Sequence, residues 1–208
     1  MLRNTLLYLS NQPRVFKFVR NNRLAKHFAS RFVAGETVDE ALAVARELNA
    51  KGITASLDLL GESVNTEKEA RAARDAYITL LDRIQQAGLQ ANVSVKLTAM
   101  GLDIDHELCV AVMQDVLARA QKYDSFVRLD MESSAYTDIT LKLFEDRLYP
   151  AYKANVGVVL QSSLYRTFPD VEHMDAPPAP RPPCKGCSKT PATLGSPATA
   201  AVAPAHEQ

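Results

Sequence analysis

The sequence predicts an α/β fold, a partial (β/α)8 barrel of the TIM type with about four strand–helix units. Helices precede it and a proline- and alanine-rich tail follows. Three observations predict this. Short apolar runs centred on Leu57, Val95, Leu129 and Val159 recur about every 30–40 residues. Stretches with helical periodicity separate them, which is the alternation of a parallel sheet. The first run is followed by Gly61-Glu62-Ser63, neither a Gly-x-Gly-x-x-Gly turn nor a Gly-Lys-Ser/Thr phosphate loop. A barrel whose site is built by side chains at the C-terminal strand ends fits better than a dinucleotide fold.

Residues 1–52 read as an N-terminal helical arm. Leu24, Phe28 and Phe32 recur every four residues on one helix face. Thr37 and Glu40 have capping-box spacing and open a second helix through Leu48, with Val38, Leu42 and Ala45 inward. Residues 53–174 read as the barrel portion. Its first strand spans Ile53 to Leu60, and a helix from about Thr66 to Ala87 buries Ala73, Tyr77, Leu80 and Ile84 before Gly88. The second strand is read as Asn92 to Thr98. Asp105 caps a helix with Cys109, Val112, Val116 and Ala120 on one side. Phe126 to Asp130 is the third strand, a helix follows from about Asp138 to Ala154, and Val156 to Gln161 is the fourth strand. Residues 175–208 are rich in Pro, Ala, Ser and Thr, too poor in apolar surface to order themselves, and are expected to be disordered.

Composition narrows the function. The chain has 208 residues, 47% of them hydrophobic, with 24 Lys plus Arg against 24 Asp plus Glu. No global field favours nucleic acid or an anionic membrane. No apolar run reaches the roughly 18–20 residues of a membrane span, and the Leu6–Leu9 stretch lacks a cleavage site after it. A cytoplasmic protein is expected. Three cysteines make no disulfide framework. Cys184-Lys-Gly-Cys187 is a lone pair without the second pair that zinc needs. His27, His106, His173 and His206 are scattered, so no metal is expected.

Asp58, Lys96, Asp130 and Gln161 fall at the ends of successive strands. Polar ends in a row converge on one mouth of a parallel sheet, where such sheets bind ligands. Residue type alone leaves three roles open for Lys96: holding an anion, forming a Schiff base with a carbonyl, or pairing with Asp130. A ring of internal salt bridges is the structural alternative.

Four ordered blocks carry a resemblance: Ser56-Leu-Asp-Leu-Leu-Gly-Glu62, Ser94-Val-Lys-Leu-Thr98 with Gly101-Leu-Asp-Ile-Asp105, Val127-Arg-Leu-Asp-Met-Glu132, and Gly157-Val-Val-Leu-Gln161 followed by Tyr165-Arg-Thr167. Over residues 1 to about 174 the chain resembles the proline dehydrogenase family. The resemblance implies a distorted β/α barrel that binds FAD and oxidises L-proline to 1-pyrroline-5-carboxylate, electrons passing to a quinone-type acceptor. It implies that Lys96 holds the substrate carboxylate, that Asp130 is the active-site aspartate, and that Met131 and Gln161 meet the isoalloxazine. Weak membrane-surface association through the acceptor, and a homo-oligomer, are further expectations. The family's later blocks, including its Tyr-x-x-Arg-Arg motif, do not occur, so the expectation is a truncated N-terminal half. Two alternatives stand beside it: a non-catalytic half-barrel stable only by association, and a Schiff-base lyase using Lys96.

Overall fold

The computed structural model describes residues 34, 35, 37–61, 63–162, 164–175 and 183–186. The helix expected around Leu24, Phe28 and Phe32 lies outside them. The first described helix, α1 (Val38–Ala50), opens with the anticipated box: the Glu40 amide donates to Thr37 Oγ1 and the Thr37 amide to the Glu40 carboxylate. Strand β1 (Ala55–Asp58) leads into α2 (Glu67–Gln86), capped by Thr66 and Glu69 in the same way. Then come β2 (Ala91–Val95), a tight 3-10 turn at Leu97–Met100, and α3 (His106–Lys122), whose N-cap Asp105 accepts from the Leu108 amide. Strand β3 (Val127–Leu129), α4 (Thr137–Leu143), α5 (Tyr149–Tyr152), β4 (Val156–Gln161) and α6 (Thr167–Asp175) follow.

All strands are parallel and adjacent in chain order. Residues in register share a face of the sheet. Val93, Val127 and Val156 align, as do Val95, Leu129 and Val158, and all six are fully buried. Helices α2 and α3 cover that face with Tyr77, Leu80, Leu81 and Ile84, and with Cys109, Val112, Met113, Val116, Leu117 and Ala120. Each such aliphatic side chain contributes about 1.5–3 kcal/mol through burial. The other face carries Asp58, Ser94 and Arg128 in register. One face is therefore the core; the other is polar along β1 to β3, while β4 is buried on both faces.

Three expectations need correction. The second strand stops at Val95, because Leu97–Met100 turns sharply and all four of its side chains are buried. Apolar residues there mark a buried turn, which an apolar run does not distinguish from strand. The single helix expected from Asp138 to Ala154 is broken by a widened π turn at Phe144–Leu148 and ends in a 3-10 turn at Lys153–Asn155. Pro150 has no amide proton to give back to the preceding turn. Finally, within the tail expected to be disordered, Pro183–Gly186 form a fifth strand, β5, paired parallel to β4 from Val158↔Pro183 to Gln161↔Gly186. Backbone pairing on an edge depends on amide and carbonyl groups rather than on apolar content. Pro183 stands at the first position, where a strand tolerates proline. The remainder of the tail, Cys187 included, lies outside the described residues.

Gly101 closes the turn that follows Lys96. It has φ +90, and an added Cβ would lie 3.2 Å from Ala70 Cβ and 3.3 Å from Leu108 Cδ2. Left-handed backbone costs an L-residue about 1–2 kcal/mol before that crowding is counted. Gly101→Ala is expected to destabilise the fold by about 2 kcal/mol, read as a lower urea midpoint with an unchanged slope. A midpoint equal to that of the parent chain would contradict this account of the turn.

Candidate active site

Asp58 ends β1, Lys96 follows β2 and Asp130 follows β3. The Asp130 amide donates to the Val95 carbonyl at 2.9 Å, carrying the β2–β3 ladder one step past the strands. That step brings Asp130 beside Lys96. Lys96 Nζ lies 2.5 Å from Asp58 Oδ2 and 3.7 Å from Asp130 Oδ2. The lysine side chain is 17% exposed and both carboxylates are 28% exposed. A charge so nearly enclosed is tolerated because it is paired.

Two hydroxyls complete the cluster. Ser94 Oγ, one pleat before Lys96 on the same face, donates to Asp130 Oδ1. Tyr77 reaches in from α2 and its hydroxyl lies 3.0 Å from Asp58 Oδ1 and 2.9 Å from the Ser94 carbonyl. Burial first, and then the Asp58 carboxylate, push the Tyr77 phenol far above its ordinary range, so it stays a neutral donor.

A second tier lies beside the first. Glu132 accepts from the Thr98 amide at 3.1 Å and from the Thr98 hydroxyl at 2.6 Å. Its main-chain carbonyl accepts from Gln161 Nε2 at 2.5 Å, and the Gln161 carbonyl accepts from the Thr167 hydroxyl at 2.5 Å. The turn after Lys96, the loop after Asp130 and the end of β4 are thereby tied together. Gln161 and Met131 are both buried. The structure thus brings Lys96, Asp130 and Gln161 to one rim, with Asp58 among them, while Met131, one residue past Asp130, is buried in the core cluster.

Other candidates fall away from the rim. Burial, reinforced by the Glu132 charge, pushes the Cys109 thiol up to about 12, and its sulfur rests 3.7 Å from the Leu97 carbonyl. Cys109 is a core residue. Arg166 is bound to Asp170 at 2.7 Å and Asp138 at 2.5 Å, and those hydrogen bonds hold its guanidinium firmly charged. It joins α6 to α4. Among the described residues no group of three His, Cys, Asp or Glu side chains is placed to hold a metal ion, and no helix is long and apolar enough to cross a membrane.

Sequence reasoning missed the roles of Tyr77, Ser94, Thr98 and Glu132. Ser94 could have been found, because it alternates with Lys96 and so must share its face. Tyr77 gave no signal, since a tyrosine on an apolar helix stripe looks like core.

A family model described as proline dehydrogenase matches residues 41–177. Proline dehydrogenase 1 of Bacillus subtilis (strain 168) is 34% identical over 176 residues, which cover 84% of this chain and 57% of that protein. Proline dehydrogenase of Deinococcus radiodurans is 32% identical over 200 residues, covering 95% of this chain and 64% of that protein. The chain thus spans about three fifths of the length of these relatives. Among solved structures, proline utilization A from Bdellovibrio bacteriovorus, inactivated by N-propargylglycine, superimposes with a TM-score of 0.66 at 26% identity, over 77% of this chain and 19% of that one. With a match over most of its length, the chain belongs to the proline dehydrogenase family.

Proposed function

We propose that this chain carries the lysine–aspartate side of a flavin-dependent site that oxidises L-proline to 1-pyrroline-5-carboxylate. The observation that carries the reading is Lys96 held between Asp58 and Asp130 at the C-terminal strand ends. Proline is a zwitterion. Its carboxylate needs a cation, which Lys96 offers as a compact point charge. Its secondary ammonium carries a proton that must leave before the C–N bond can become a double bond. Asp130, held by Ser94 and lying farther from Lys96 than Asp58 does, is the carboxylate available to the amine.

The residues present fit FAD. Gln161 is a buried amide, one of whose Nε2 protons goes to the Glu132 carbonyl, and would offer its remaining polar capacity to a ring edge, and Met131 is a buried, polarizable thioether. FAD held there would supply the hydride acceptor for proline, with a quinone-type molecule as the onward electron acceptor. The protein's own task is to fix the carboxylate, take up the amine proton and exclude water. A Schiff-base lysine must present a neutral amine. Lys96 Nζ is instead engaged by two carboxylates, so the lyase reading is the weaker one.

The test is reconstitution with FAD followed by anaerobic addition of L-proline. Loss of the flavin's visible absorbance with L-proline, and none with D-proline, is expected. A chain that binds FAD but is not reduced would overturn the catalytic reading.

The half-barrel reading has one observation in its favour. Strand β1 stands at the end of the strand order, with no outer partner among the described residues. Open strand edges invite pairing with a second chain. A mass by light scattering of twice the chain or more would support self-association at that edge.

A further inference from the structure

We propose that Tyr77 is a positioning residue of this site, its hydroxyl holding Asp58 against Lys96 and leaving Asp130 to the substrate. The proposal rests on the functional reading above.

Tyr77 sits on the buried face of α2 with only 2% of its surface exposed. Its phenol oxygen has three neighbours and one proton. The Leu59 amide lies 3.3 Å away and can only donate. The Ser94 carbonyl, at 2.9 Å, and the Asp58 carboxylate, at 3.0 Å, can only accept. The single proton is therefore contested between a neutral carbonyl and an anion, and the charged acceptor makes the stronger bond. Asp58 has its other oxygen 2.5 Å from Lys96 Nζ. The chain of contacts runs from a helix through a carboxylate to the lysine.

The two carboxylates beside Lys96 are thus steered by different hydroxyls, Asp58 by Tyr77 and Asp130 by Ser94. Ser94 belongs to both arms, through its carbonyl to Tyr77 and its hydroxyl to Asp130. This asymmetry explains why Lys96 lies 2.5 Å from one aspartate and 3.7 Å from the other, although both flank it. Without the phenol, Asp58 is free to turn toward solvent, since it stands on the edge strand of the sheet that the described residues form and 28% of its side chain is exposed.

Tyr77→Phe removes the hydroxyl and keeps the ring. Lys96 acetylation under limiting reagent, resolved by peptide mass spectrometry, reads how firmly the ammonium is held. In folded Tyr77→Phe the labelling rate at Lys96 is expected to rise about three- to tenfold. Asp58→Asn should produce a rise at least as large. The double variant should label no faster than Asp58→Asn alone, because Tyr77 acts through Asp58. A parental labelling rate in folded Tyr77→Phe, or additive effects in the double variant, would overturn the proposal and leave Tyr77 as core.

A second measurement serves if Tyr77→Phe does not fold. In protein carrying 13C at tyrosine Cζ, Asp58→Asn should shift the Tyr77 signal, assigned through its contact with the Leu59 amide. An unmoved signal would place the proton on the Ser94 carbonyl and overturn the proposal. Failure of L-proline to protect Lys96 from acetylation would count against the functional reading alone, because the comparison of variants needs no proline.

Discussion

Replacing Lys96 by methionine is expected to lower proline-dependent flavin reduction in the FAD-loaded chain by about two to three orders of magnitude in kcat/KM. Methionine has nearly the length of lysine and fills the same space, so the change isolates the charge. Two effects act together. The proline carboxylate loses its cation, a charged hydrogen bond worth about 1.5–3 kcal/mol. Asp58 and Asp130, now without the ammonium between them, repel each other and the incoming carboxylate as well. Together these reach about 3–4 kcal/mol of lost transition-state stabilisation, which is the stated fall in rate. Lys96→Arg should recover only part of it, because a planar guanidinium cannot occupy the place of a compact point charge between two carboxylates. A methionine variant within about threefold of the parent chain would show that the substrate carboxylate is held elsewhere.

The largest stability effect is expected at Phe144→Ala. Phe144 opens the π turn, is fully buried, and packs its ring 5.4 Å from that of Tyr149 at an interplanar angle of 51°. It belongs to the same core cluster as Leu141, Leu148 and Val158. Truncation removes the transfer energy of a large ring and leaves a cavity, a loss of about 3–5 kcal/mol. For a domain of ordinary stability that is a large part of the total. Phe144→Leu keeps much of the volume and should cost about 1–2 kcal/mol. Urea unfolding followed by far-UV circular dichroism measures both. A loss below about 1 kcal/mol for alanine would mean that the widened turn collapses onto the space and that Phe144 is not a pillar of this core.

Much of the architecture was readable in the chain itself. Leu57, Val95, Leu129 and Val159 do mark four parallel strands, and Thr37, Thr66 and Asp105 do start helices. These signals are local. A capping box closes within four residues, and a strand buried on both faces, such as Val156–Gln161, is apolar along its length. The polar strand ends Asp58, Lys96, Asp130 and Gln161 were legible for the same reason, and the period-two alternation that would have added Ser94 to the face of Lys96 went unused.

What only the tertiary structure decided is which groups share a proton or a charge. Asp58 and Lys96 are 38 residues apart, and their preference for each other over Asp130 depends on a register that no local pattern encodes. Tyr77 is assigned to the core by its helix stripe, and only the packing of α2 beside β2 brings its hydroxyl to Asp58 at the end of β1. The pairing of Pro183–Gly186 with β4 was hidden too, since an edge strand is recruited by backbone groups that every sequence carries. Periodicity reports which face is buried; distance between remote side chains is set when the strands are laid beside one another.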